Sequence, residues 1–216
     1  ISLYFYTGED MFSTFSPSVN LDAGITWGNQ TASINWNHRL NDNLFFDHTA
    51  TYTSYLFGMG LLLNPYNLSL SSGIKDFSHK SKATLYADKH KIKFGIEETF
   101  HRITPNSSMA SIDSMVLNFG EPNPYNLAEL NLFISDEFTV NDKLSIMAGL
   151  RLTHAIHFGE FSEINYNENG QPTDTVLYKK NEIIYQNTAP NISLSLRYLI
   201  AENNSLKLSY SYSNQY

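Results

Sequence analysis

His154 and His157, three apart in THAIHF, have the spacing of a metal-ligating pair. The residues before them alternate at period two, and on a strand an odd separation sends two side chains to opposite faces. No metal site is expected there. Asp136 and His101 supply a carboxylate and an imidazole of the kind that activates a nucleophile, yet no motif surrounds either one. No catalytic residue is expected, and no cofactor: Gly58, Gly60 and Gly120 fall in loops that lead into no helix, so they supply turn geometry and not a phosphate cradle. His38 and His48 bracket the turn Asn41-Asp42-Asn43 on one shared face, a placement that suits the boundary between apolar and wet surroundings.

Binding is the chemistry that remains. Tyr125, Tyr166, Tyr178 and Tyr185 fall in two long polar stretches, residues 105–125 and 165–185, where phenol rings could stack on a sugar or a chelate, or equally pack within their loops. These four are the candidate ligand-binding residues. Arg39, Lys82, Lys93, Arg151, Arg197 and Lys207 share a polar face with Asp47, Glu97 and Glu137, a mixture that fits a wall facing water and solutes as well as plain mutual pairing.

Strands must position all of these. Leu144, Ile146, Ala148, Leu150 and Leu152 fall on one face, and Ser145, Met147, Gly149, Arg151 and Thr153 on the other. Before them Leu130, Leu132, Ile134, Phe138 and Val140 alternate with Glu129, Asn131, Ser135, Glu137 and Thr139; Asp136 breaks the apolar face and Phe133 the polar one. With Asn141, Asp142 and Lys143 as turn, residues 130–154 read as a hairpin, and residues 192–212 as a second one around AENNS. Further strands are read at residues 1–7, 26–39, 44–58, 68–87 and 91–104, with the alternation weaker in 68–87. Between them residues 8–25, 105–125 and 158–187 read as long loops and GMGLLLNPYN as a looser strand end; the last loop contains the turn signal NENGQPTD and two short apolar stretches, VLY and EIIY, that could form a hairpin within it. About nine strands are expected, with connections that alternate long and short, the short ones near residues 41, 89, 142 and 203.

An apolar strand face suits a water-soluble sandwich and a membrane barrel equally. Three features favour the barrel. The strands exceed the five or six residues usual in soluble sheets, the loops segregate by length, and the 14 Tyr and 14 Phe suit aromatic girdles. Mean hydropathy of -0.30 is neutral toward a barrel, and no apolar run approaches the roughly 20 residues of a membrane helix. The absence of Cys rules out disulfides and thiolate metal sites, and a net charge of -7 argues against a nucleic-acid partner. The expected fold class is all-β, an antiparallel up-and-down transmembrane β-barrel segment spanning residues 1–216 as one unit. A soluble carbohydrate-binding β-sandwich is the alternative.

Four phrases carry a further likeness: WGNQTASINWNHRLNDNLFFDHTATYTSYLF, HKIKFGIEETFHRITP, LFISDEFTVNDKLSIMAGLRLTH and PNISLSLRYLIAENNSLKLSYSYSNQY. Together they resemble the barrel of TonB-dependent outer-membrane receptors in the style found in Bacteroidetes. The resemblance implies roughly 22 strands closed around a plug, and import of a scarce nutrient, whether siderophore, cobalamin or oligosaccharide, driven by the TonB complex across a Gram-negative outer membrane. It implies no enzymatic activity. Outer-membrane lipid, the TonB complex and a surface lipoprotein are the implied partners; a passive porin or adhesin barrel is the rival within the membrane class. Neither plug, TonB box nor signal peptide is visible in these residues, so an internal or C-terminal-side segment is expected, with Tyr216 a boundary and not a natural end.

Overall fold

The computed structural model describes residues 1–113, 115–118 and 123–214. Gly120 and Tyr216, singled out above, lie outside the described residues. Every regular element described is a strand: β1 (Ser2–Ser16), β2 (Leu21–Arg39), β3 (Leu44–Leu63), β4 (Tyr66–Ala87), β5 (His90–Ile112), β6 (Met115–Asn118), β7 (Tyr125–Asn141), β8 (Leu144–Phe158), β9 (Phe161–Tyr166), β10 (Pro172–Tyr178), β11 (Ile183–Ala201) and β12 (Asn204–Tyr212). Nine of them form one path of antiparallel neighbours, β1-β2-β3-β4-β5-β7-β8-β11-β12, with β6 beside β5, while β9 and β10 make a separate two-stranded sheet. Each strand of the path pairs with the next one in it, so the pairing is up-and-down and not Greek-key.

The four turns at one end have the chemistry expected of them. Asn41 Oδ1 accepts from the backbone N–H of Asn43 and Leu44, both at 2.9 Å, and Asn141 Oδ1 accepts in the same way from Lys143 and Leu144 at 2.9 and 3.0 Å. An Asn side chain thereby closes the turn that the backbone alone would leave open. Asp88 takes a left-handed backbone (φ 49°) in the two-residue link between β4 and β5.

The opposite end departs from expectation. Residues 8–16 and 21–25 are strand, not loop, with Ser16 opposite Leu21; β3 runs unbroken to Leu63 and turns through Asn64-Pro65; β5 continues to Ile112. Backbone donors and acceptors need partners wherever the chain goes, and continuing the ladder supplies them. The side-chain alternation fades in these extensions while the backbone pairing does not. The inserted hairpin also differs: FSEINY pairs with PTDTVLY around NENGQ, and EIIY instead leads into β11.

Burial separates the two faces of the sheet. Asn131, Thr153, Thr84, Ala155 and Ala189 are all below 9% exposed and all lie on the hydroxyl and amide face, whereas Ile134, Leu150 and Ile192 on the aliphatic face stand about half exposed. The crowded polar face is therefore concave and the aliphatic face convex. The described residues contain no stacked second sheet and few buried hydrophobic side chains, which removes the β-sandwich alternative.

Candidate functional site

On the convex face the register stacks apolar residues in rows: Phe94, Ile134 and Leu150 in one, Ile96, Leu132 and Leu152 in the next. Imidazoles interrupt it. Trp36 stacks on His48 with ring centroids 5.2 Å apart and lies 5.8 Å from His38, so the two histidines flanking the first turn meet through an indole. His90 Nδ1 lies 2.7 Å from Asp136 Oδ2, and His154 Nδ1 lies 2.8 Å from the Thr188 hydroxyl. His154 is on this convex face and His157 on the concave one, as an odd separation requires. Asp136 and His101 are likewise on opposite faces, which rules out their acting as a pair.

The concave face is a connected polar wall. Asn131, about 2% exposed, accepts at Oδ1 from Arg151 Nε at 3.0 Å and from the Thr153 hydroxyl at 2.6 Å. Glu97 faces both Lys80 Nζ at 3.2 Å and Arg151 at 3.4 Å, and Lys82 Nζ lies 2.8 Å from Asp47. Phe133, an aromatic residue on this face, lies beneath the Lys80 ammonium, 5.5 Å from its ring centre. Arg197 and Lys207 face each other across β11 and β12, and among the described residues neither forms an ion pair. His101 is held between Asp76 (2.8 Å) and Glu129 (3.8 Å). Among the described residues no three His, Asp or Glu converge as metal ligands.

At the far rim one concave row runs Asp76, His101, Leu127, His157 and Tyr185 across five strands. Tyr125 opens β7 two residues above Leu127, and its ring meets His157 at 5.6 Å and Phe161 at 5.2 Å; His157 and Phe161 meet edge to face at 5.5 Å. Of the four candidate tyrosines, Tyr125 meets the His157 imidazole, and Tyr185 is its cross-strand neighbour on β11. Tyr178 pairs with Phe161 across β9 and β10 and donates its phenol to Glu163 at 3.2 Å, whereas Tyr166 stands exposed at the other end of that hairpin. All four are on strands or their ends, not in irregular loop. The sequence reading missed His157 and Phe161 as members of this cluster. The signal for His157 was its parity with Arg151 and Thr153 on the polar face; Phe161 carried none. His157 Nε2 is buried without a hydrogen-bond partner among the described residues, so the cluster can offer ring faces for contact while that nitrogen stays closed to solvent.

Comparison with known proteins bears on this geometry. The family model described as TonB dependent receptor-like, beta-barrel matches residues 3–215. Among solved structures, the copper transporter OprC superposes with a TM-score of 0.68 at 11% identity, over 97% of this chain and 36% of that one. The open form of the ferric-catecholate import receptor Fiu from E. coli K12 gives 0.57 at 15% identity over 89% and 36%, and the unliganded ferric citrate transporter FecA gives 0.55 at 12% over 86% and 27%. The chain thus spans about a third of the length of these structures. No curated protein matches it in sequence.

Proposed function

Because this chain belongs to the family of TonB-dependent receptor-like β-barrels, we propose that it forms part of the wall of an energy-coupled importer in the outer membrane of a Gram-negative cell. The observation that carries the reading is the division of one sheet between two solvents: a hydrogen-bonded polar wall around Asn131 and Glu97 on the concave side, and aliphatic rows left open on the convex side. Lipid would cover the convex rows. Strands beyond this segment would complete the wall at the unpaired edges of β1 and β12, and a plug outside the segment would fill the lumen and receive the pull of the TonB complex.

Such receptors are transporters and not enzymes, which agrees with a site built for contact. The rim cluster of Tyr125, His157 and Phe161, with Tyr185 on the neighbouring strand, suits stacking on a planar chelate or a sugar ring. A scarce nutrient of the siderophore, cobalamin or oligosaccharide type is the proposed cargo, and the metal and ferric-chelate transporters of similar fold support the first of these. Tyr166 and Tyr178 on the outer hairpin would make the earlier contact, where a surface lipoprotein would also dock.

Uptake of a labelled ferric siderophore, cobalamin and a maltooligosaccharide by cells making the full-length protein tests this, with and without a protonophore. Uptake of one of them that stops when the proton gradient collapses, and falls at least tenfold in Tyr125→Ala, is expected. Uptake indifferent to the gradient would identify a passive porin instead.

A further inference from the structure

The pairings of β1 with β2, β2 with β3 and β3 with β4 run to their outer ends without a bulge, so each of these strands keeps the same two sides along its length. Where the alternation of the lower strands gives out, the apolar residues of β2, β3 and β4 reappear on the other side. Trp27 is opposite Phe57, and Ile25, Met59 and Leu70 make the next row out; all share the lumen side with Asp76 and His101. Behind them, on the outer side, the matching rows are Thr26, Gly58 and Ser71, then Gly24, Gly60 and Ser69. The wall that is polar within near the short turns is therefore apolar within at its far end. Lipid does not account for this, because lipid touches only the outer side.

This inner wall is continuous with the rim cluster. Tyr55, Ile74, Ile103 and Tyr125 form one row over β3, β4, β5 and β7, so Trp27 and Phe57 share a surface with Tyr125, His157 and Phe161. Trp27, Tyr55, Leu61 and Ile74 are each over a third exposed on it. Its charge has one sign. Asp10 is opposite Trp27, and Asp76 lies diagonally beneath Tyr55. His101 is held between Asp76 and Glu129, at 2.8 and 3.8 Å, and even a protonated imidazole leaves those two carboxylates in excess. From the Asp76 row outward, the described residues on the inner side of β1 to β8 include no Lys or Arg. Lys75 and Arg102 are at this height but on the outer side, and Lys80, four residues below Asp76, is engaged by Glu97 at 3.2 Å.

We propose that this inner wall selects a cargo that is an amphiphilic cation. The apolar body of the cargo packs on Phe57, Met59 and Leu70, and its ammonium or other organic cation is held by Asp76 and the ring face of Tyr55 above it, with Asp10 adding to the negative field at the far end. Ring faces and carboxylates attract the same charge, and a contiguous apolar surface left open to water marks a contact site. An anionic chelate would meet carboxylates here with no cation to offset them. The inference rests on the importer reading and narrows the cargo within it.

Equilibrium dialysis tests both requirements, using the full-length protein in lipid nanodiscs, with empty nanodiscs as blank. The probes are 2-naphthylmethyl-trimethylammonium, 2-naphthalenesulfonate and tetramethylammonium. Wild type is expected to hold the naphthyl cation at least about tenfold more tightly than the sulfonate of the same ring, and at least about tenfold more tightly than tetramethylammonium, which lacks the ring. Asp76→Asn should bring the two naphthyl ions to within about threefold of each other, and Phe57→Ala should weaken the naphthyl cation at least about fivefold. Equal binding of the two naphthyl ions by wild type, or no binding of the cation, would overturn the inference without recourse to any variant. The rival occupant of the wall is another part of the same receptor. On intact cells Leu61→Cys should react with a membrane-impermeant maleimide and be shielded by the naphthyl cation; a thiol that never reacts would show the wall covered by protein and overturn the site. A receptor that imports under the proton gradient yet binds both naphthyl ions alike would overturn this inference alone. One that prefers the cation but whose uptake ignores the gradient would overturn the importer reading and leave the site standing.

Discussion

At Asn131 one amide oxygen serves two donors, Arg151 and Thr153, in a position almost closed to solvent. Replacing it with Ala leaves both donors short of an acceptor, and the expected loss is about 1–3 kcal/mol in the urea unfolding of the full-length barrel in bilayers. Tyr178 offers a titration. Desolvation, then the hydrogen bond to Glu163 and the negative charge of Glu163 and Glu182, push its phenol above the ordinary tyrosine value. The neutral phenol is the favoured form, so its contribution to the outer hairpin is present below the ordinary value near 10 and is lost as pH climbs from there through the raised one. Subtracting the phenolate absorbance of Tyr178→Phe from that of wild type should give a late midpoint, and Glu163→Gln should bring that midpoint down. Single residues were the least legible level. Period two assigned His157 and His154 to opposite faces from sequence alone. The meeting of Tyr125, His157 and Phe161 depends on how β9 folds back after residue 158, and no local pattern encodes that.

Gly95 and Gly60 are both strand glycines with opposite expectations. A Cβ on Gly95 would run into the backbone carbonyl oxygen of Ser81 and lie 3.0 Å from Lys82 Cα, whereas one on Gly60 would meet nothing within 4 Å. Gly95→Ala is therefore expected to cost about 1–3 kcal/mol by forcing β4 and β5 apart, and Gly60→Ala to change stability by less than about 0.5 kcal/mol; the same unfolding assay compares them. The turn-proximal parts of β7–β8 and β11–β12 were legible because the two faces there differ in composition, aliphatic on one and polar on the other, with Asp136 and Phe133 as exceptions. The distal halves of β1, β3 and β5 were not. There the composition no longer alternates in that way, and only the hydrogen-bond ladder marks the strand. Pro and Gly in MGLLLNPYN and RITPNSS then look like loop, although Pro65 forms the turn itself and residues 105–112 continue β5.

For the wall as a whole, the two faces should respond differently to the same charge. Leu150→Arg places a guanidinium among the convex rows near mid-depth and is expected to cost about 2–4 kcal/mol on folding into vesicles. Met147→Arg, three residues earlier on the concave side and opposite Glu137, is expected to change stability by less than about 1 kcal/mol. Equal costs for the two would contradict the assignment of lipid to the convex side. The nine-strand path also has an implication for assembly. Its strands pair with the next strand of the path, so each hairpin can close once its turn is made, like a zipper drawn one tooth at a time. Two teeth are long: pairing of β7 on β5 begins at Ile103 and Tyr125, and pairing of β11 on β8, the longer of the two, begins at Phe158 and Ile183. Closing the longer one brings together ends separated by a whole inserted hairpin, an entropic penalty about 2 kcal/mol above that of a two-residue turn. Folding of the wall should therefore pause before β11 docks, and the β9–β10 hairpin, by ordering its own residues first, shortens the free chain that must be gathered and so sets the pace at which the last two strands arrive.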